Sequence, residues 1–85
     1  MILVWEIQFS IEAVRDLSKL DAKTAARIIK KLEESSKNPV HFFTRLAGHD
    51  DYKLRVGDYR VIALLLHDLK VIFIEKIGHR KNIYK

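Results

Sequence analysis

The stretch YKLRVGDYRVIALL, Tyr52 to Leu65, decides the fold. Two runs of β-forming residues flank Gly57-Asp58, the signature of a hairpin closed by a two-residue turn of the primed type. That turn fixes the register: Val56 opposes Tyr59, Arg55 opposes Arg60, and Lys53 opposes Ile62. Directly opposed residues point to the same face of a sheet. Lys53, Arg55 and Arg60 therefore share one face, while Leu54, Val56, Tyr59 and Val61 share the other, the core side. Like charges placed opposite one another destabilise a hairpin. A bound anion such as phosphate would offset the repulsion; alternatively, the arginines splay and pair with Asp50, Asp51 or Asp58.

Upstream, Val4 to Phe9 alternates Trp5, Ile7 and Phe9 with Glu6 and Gln8, which predicts a half-buried strand. Ser10 is placed to cap a first helix, in which Ile11, Val14, Leu17 and Leu20 recur at helical spacing. Asp21 caps a second helix whose buried stripe is Ala25, Ile28, Ile29 and Leu32, its other face solvated. Asn38-Pro39 ends that helix, because a residue before proline avoids helical geometry. With almost no linker between them, the helices read as an αα-hairpin. Val40 to His49 reads as irregular, pinned by Phe42, Phe43 and Leu46. Strands follow at about 51–56, 58–66 and 70–77. The expectation is an α+β fold of order β-α-α-β-β-β, an antiparallel sheet packed against an N-terminal helix hairpin. Val61 to Leu66 is apolar on both faces, so its second face is a groove floor or a protein-binding surface. The turn before the last strand admits two readings. A three-residue loop puts Lys76 and Arg80 on the Arg60 face, and a two-residue loop puts Glu75 and His79 there.

The 85 residues make a single domain, 1–85. There are no cysteines, so neither disulfides nor thiolate metal sites contribute. The apolar run Ile2 to Trp5 stops at Glu6, too short for the core of a signal peptide. Val61 to Leu66 falls far below the ~20 residues that span a bilayer. These features predict a soluble, cytoplasmic protein without membrane partners. The net charge of +5 is uneven: residues 1–40 carry seven basic and six acidic groups, residues 41–85 nine and five, with all four histidines. A polyanion-facing surface belongs to the second half.

Neither metal nor cofactor is expected. His49-Asp50-Asp51 are neighbours in one loop and make a poor cage, and Gly48, Gly57 and Gly78 fit turns and a strand end rather than a phosphate-cradling loop.

YKLRVGDYRVIALL followed by IGHRKNIY, Ile77 to Tyr84, resembles the RelE family of toxins from toxin–antitoxin pairs. The likeness covers nearly the whole chain, and ParE toxins, which inhibit DNA gyrase, share the fold and part of the pattern. The resemblance implies a ribosome-dependent endoribonuclease, an mRNA interferase that cuts messenger RNA in the ribosomal A site, and a cognate RelB-like antitoxin as partner. Arg60 and Arg80 match the family's active-site arginines, Lys53 and Arg55 its basic positions on the preceding strand, and Tyr84 its C-terminal tyrosine. His79 sits where members vary among basic residues, and Asp51 stands where well-known members carry a lysine. The catalytic set implied is Lys53, Arg60, Arg80 and Tyr84, with Arg55, His79 and Lys81 as phosphate contacts. In such a reaction the RNA 2′-hydroxyl attacks the adjacent phosphodiester, which needs a proton acceptor and stabilisation of charge on phosphorus. Arginine does not deprotonate, so it serves the second need. Lys53, crowded by cations, is a candidate for the first. A gyrase inhibitor and a non-catalytic nucleic-acid-binding module are the competing readings.

Overall fold

The computed structural model describes residues 4–83. In chain order the elements are β1 (Glu6–Phe9), α1 (Ile11–Ser18), α2 (Ala22–Ser35), a single turn α3 (Pro39–Phe42), a short β2 (Thr44–Arg45), β3 (Tyr52–Val56), β4 (Tyr59–Leu66) and β5 (Val71–His79). The strands form one five-stranded sheet in the order β1-β5-β4-β3-β2. Pairing is antiparallel from β2 to β5, as the hairpins require. β1 departs from the expected pattern by lying parallel to β5, Glu6 beside Val71 and Phe9 beside Ile74, so the sheet is mixed. The two hairpins leave the outer edge of β5 open, and β1 fills it.

One face of the sheet meets the helices. Leu54, Val56, Val61, Ala63, Leu65, Ile72, Ile74 and Ile77 form a core with Ala13 of α1 and with Ile28 and Leu32 of α2. Ile28, Leu32, Leu54, Ile72 and Ile74 are fully buried, each contributing about 1.5–3 kcal/mol by leaving water. Ser10 and Asp21 are N-caps, accepting from the amides of Ala13 and Thr24 at 3.0 and 3.3 Å. α1 packs on β5 and β1, and α2 on β3.

The stripe on α1 is rotated from the expected one. Ala13 is buried and Leu17 and Leu20 are half-buried, while Ile11 and Val14 are exposed. The rotation follows from a polar demand on α1, because beyond Ile74 the outer edge of β5 has no strand beside it. Ser10 Oγ donates to the Glu75 carbonyl at 2.6 Å, and Asp16 Oδ2 accepts from the Ile77 amide at 2.8 Å. A buried backbone group without a partner is costly, so Asp16 turns toward the sheet and Val14 turns away. The irregular segment expected from Val40 to His49 instead holds most of α3 and all of β2, with Pro39 at the start of the helical turn and Thr44 paired with Lys53. Phe43 is buried there. Among the described residues, no helix is long and apolar enough to cross a membrane.

Candidate nucleic-acid interface

The face of the sheet away from the helices carries the charged residues in rungs. The hairpin register is the one its turn dictates: Arg55 opposes Arg60 and Lys53 opposes Ile62. Across β5 the rungs continue as Arg55–Arg60–Gly78, then Lys53–Ile62–Lys76, then Leu64–Phe73 with Gln8 of β1 beyond. Asp51 alternates with Lys53 across Tyr52 and stands on this face too.

Neither proposed loop length between β4 and β5 is correct. Leu66 pairs with Val71, so four residues, His67 to Lys70, make the turn, with Lys70 in the left-handed region at φ 55°. A β-bulge then intervenes: Ile62 faces Lys76 while Ala63 faces Ile74, leaving Glu75 as the extra residue. The bulge restores the parity of the three-residue reading, so Lys76 shares the Arg60 face, and it delivers Glu75 to the same side. Glu75 joins Asp51, Lys76, Ile62, Phe73, Ser10 and Glu12 around a cavity of about 400 Å³. Ile62 is almost fully buried and floors a second hollow shared with Leu46, His49, Asp51 and Lys76. At this point the apolar second face of β4 is a groove floor.

Arg60 folds back over the hairpin turn, its Nη1 donating to the carbonyls of Gly57 and Tyr59 at 3.0 Å each. The Arg80 amide donates to the Asp58 carbonyl at 2.8 Å. Its Nε lies 3.7 Å from Asp58 Oδ1 in a pair 54% and 70% exposed, the kind of surface ion pair worth at most about 1 kcal/mol. Asp50 is taken by Arg45 at 3.3 Å. Among the described residues, Arg55 and Arg60 have no carboxylate partner.

Gly78 lets the chain after β5 fold over this face. A Cβ there would meet Ile83 Cδ1 at 3.0 Å, and the amides of Asn82 and Ile83 both donate to the His79 carbonyl. Arg80 and the exposed Lys81 ride on that turn beside the hairpin tip. His79 is set apart from the other expected residues. It opposes Tyr59 on the helix side, the rings edge-on at 5.5 Å, and its Nδ1 accepts from the Lys81 amide. Tyr84 lies outside the described residues.

Three contributors escaped the sequence reading. Lys76 and Glu75 had been alternatives, and only the bulge seats both. Arg27 of α2, read as solvated, lies against Gly57, where an added Cβ would come within 3.0 Å of its guanidinium nitrogens. Arg27, Lys30, Lys31 and Arg55 line a cleft of about 300 Å³ there. Only i,i+3 spacing from Arg27 to Lys30 hinted at a shared face.

Electrostatics single out Glu75, whose carboxyl is raised above its ordinary value. Burial is the main cause, followed by the charge of Asp51 and a hydrogen bond with it; Lys76 opposes the rise and Glu12 adds to it. Among the described residues, no group of three His, Asp or Glu is placed to hold a metal ion.

This chain matches, over residues 7–84, the family described as ParE toxin of type II toxin-antitoxin system, parDE. It is 30% identical over 88 residues to the protein designated RelE1 of Methanocaldococcus jannaschii, covering 93% of this chain and 98% of that one. Its fold resembles the toxin–antitoxin complex RelBE2 of Mycobacterium tuberculosis, with TM-score 0.83 and 22% identity over 92% of this chain and all of that one. The archaeal RelE–RelB complex of Pyrococcus horikoshii superposes with TM-score 0.76 and 26% identity, covering 94% and 99% of the two chains. The chain belongs to the RelE/ParE family of toxins from type II toxin–antitoxin systems.

Proposed function

We propose that this toxin arrests translation by cutting messenger RNA in the ribosomal A site. The observation that carries the reading is the opposed pair Arg55 and Arg60, without carboxylate partners among the described residues, on one face with Lys53 and Lys76. A sheet that only had to fold would not keep this repulsion; a phosphodiester relieves it. In the proposed reaction the 2′-hydroxyl attacks the neighbouring phosphorus, the bond to the 5′-oxygen breaks, and Lys53, Arg60 and Arg80 stabilise the added negative charge through charge-assisted hydrogen bonds. That role, filled by a metal ion in other nucleases, falls to these side-chain cations in the proposed reaction. Tyr84 follows Ile83 in the chain and is assigned to orienting the nucleotide. Arg55 and Lys81 contact flanking phosphates, while His79, on the helix side, supports the turn that carries Lys81. Positioning by the ribosome supplies much of the acceleration, and its target places the toxin in the cytoplasm.

A RelB-like antitoxin is the proposed protein partner, supported by fold relatives that are themselves antitoxin complexes. The family description names ParE, which favours gyrase inhibition as a second reading. Induced expression with mapping of 5′ ends on translated messages separates the two. Codon-phased cuts that vanish in Arg60→Ala and Arg80→Ala are the expected result. Growth arrest with intact messages and damaged DNA would establish the second reading instead.

A further inference from the structure

We propose that the groove over Ile62 receives one nucleobase of the message next to the scissile phosphate, and that Asp51 and Glu75 make it select adenine, cytosine or guanine over uracil. The inference rests on the ribonuclease reading and adds to its phosphate contacts one that reads sequence, since phosphates position a nucleic acid and base edges specify it.

Two hollows on this face, of about 400 and 310 Å³, share Asp51, Ile62 and Lys76 and so form one groove. Ile62, only 2% exposed, is its floor, continued by Phe73 in one hollow and walled by Leu46 in the other. The loop before β3 is tied down to make that wall. The Leu46 amide donates to the Asp51 carbonyl at 2.9 Å, and the His49 amide to the Leu46 carbonyl at 3.2 Å. In the other hollow the bulge turns Glu75 out of the strand's alternation, and Ser10 Oγ donates to its carbonyl at 2.6 Å. Glu75 Oε1 is buried with no hydrogen-bond partner. Among the described residues, Asp51, Glu75 and Lys76 take part in no ion pair. The polar rim is left for a ligand.

The rim chooses the ligand. Asp51, Glu75 and Glu12 repel a phosphate, while Lys76, with Lys53 on the same rung, opposes a cation. A flat, neutral ring carrying both donors and acceptors fits an apolar floor with a mixed rim. Arg60 and Ile62 are about 7 Å apart along β4, a span that one nucleotide bridges, so a phosphate on the arginines brings its base here. Ionised carboxylates only accept hydrogen bonds. Adenine offers the N6 amino group, cytosine N4 and guanine N2. Uracil carries an oxygen where cytosine carries its amino group, and an oxygen set against Asp51 or Glu75 is repelled. A site whose buried polar groups are left unpaired by the wrong ligand rejects it strongly. Burial raises the Glu75 carboxyl, and an amino donor from the base favours its ionised form again. Lys76 and His49, on the same rim, are placed to meet the acceptors of the ring.

The test is single-turnover cleavage by purified toxin on programmed ribosomes, with messages identical except for the two bases flanking the cut. At one of those positions uracil should slow wild-type cleavage about 10-fold or more against the other three bases. Purine riboside in place of adenosine there, which removes only the amino group, should cost about as much, and that comparison needs no protein variant. Glu75→Gln and Asp51→Asn, whose amides both donate and accept, should each erase much of the discrimination. Equal rates with all four bases at both positions, or the same discrimination in wild type and both variants, overturns the base site while the ribonuclease reading stands. Loss of antitoxin affinity in Glu75→Gln with base discrimination unchanged also overturns it, and gives the groove to a basic side chain of that partner. Absence of cleavage by wild type on every message overturns the ribonuclease reading, and the base site with it.

Discussion

Substituting Arg55 with glutamine should stabilise the protein, and only at low salt. Directly opposed Cβ atoms lie about 5 Å apart, and long stems let two guanidiniums open that to about 7 Å, where unit charges in water repel by about 0.6 kcal/mol. Arg60 is tied to the turn carbonyls and cannot swing further away without losing those bonds. Arg55 is exposed, so glutamine removes charge with little loss of packing. In a domain of this size, about 0.6 kcal/mol corresponds to a rise in Tm of about 2–5 °C. Thermal unfolding of both proteins at about 0.01 M and about 1 M salt, where the screening lengths are about 30 and 3 Å, should show that rise at the first and none at the second. Affinity for a short single-stranded RNA should fall in the same variant. A variant that is less stable at low salt, or a difference indifferent to salt, would refute the idea that this pair is strained for an anion.

Three further outcomes follow from the geometry. Gly57→Ala places an L-residue at φ 59° and a methyl against Arg27, so denaturant titration should show a loss of about 1–2 kcal/mol. Asp16→Ala strands the Ile77 amide and should cost about 1–3 kcal/mol, whereas Asp16→Asn, which keeps an acceptor, should recover most of it. Glu75, raised from its ordinary 4.5, binds its proton more tightly folded than unfolded. Stability therefore falls as pH rises from about that value through the folded pKa, and the difference in unfolding midpoint between wild type and Glu75→Gln should widen in the variant's favour over that window.

The hairpin was legible because a two-residue Gly-Asp loop leaves one register, and with it the company of Lys53, Arg55 and Arg60. Both N-caps were legible for the same local reason. What escaped depended on partners distant in sequence. Nothing in β1 says it will lie parallel to β5, since an edge is assigned only once the hairpins have formed. The rotation of α1 was hidden because Asp16 looks like any solvated acid until the Ile77 amide needs it. Loop length alone could not place Lys76, because a four-residue turn and a one-residue bulge compensate. Arg27 reads as surface until the bare Cα of Gly57 comes to lie beneath it.

The most direct test of the central claim is the chemistry of the ends left on a message cut in a purified translation system. The account predicts fragments bearing 5′-hydroxyls and 2′,3′-cyclic phosphates, formed by wild-type toxin and lost in Arg60→Ala. Intact message under conditions where the toxin still halts translation, or cuts that leave 5′-phosphates, would contradict it.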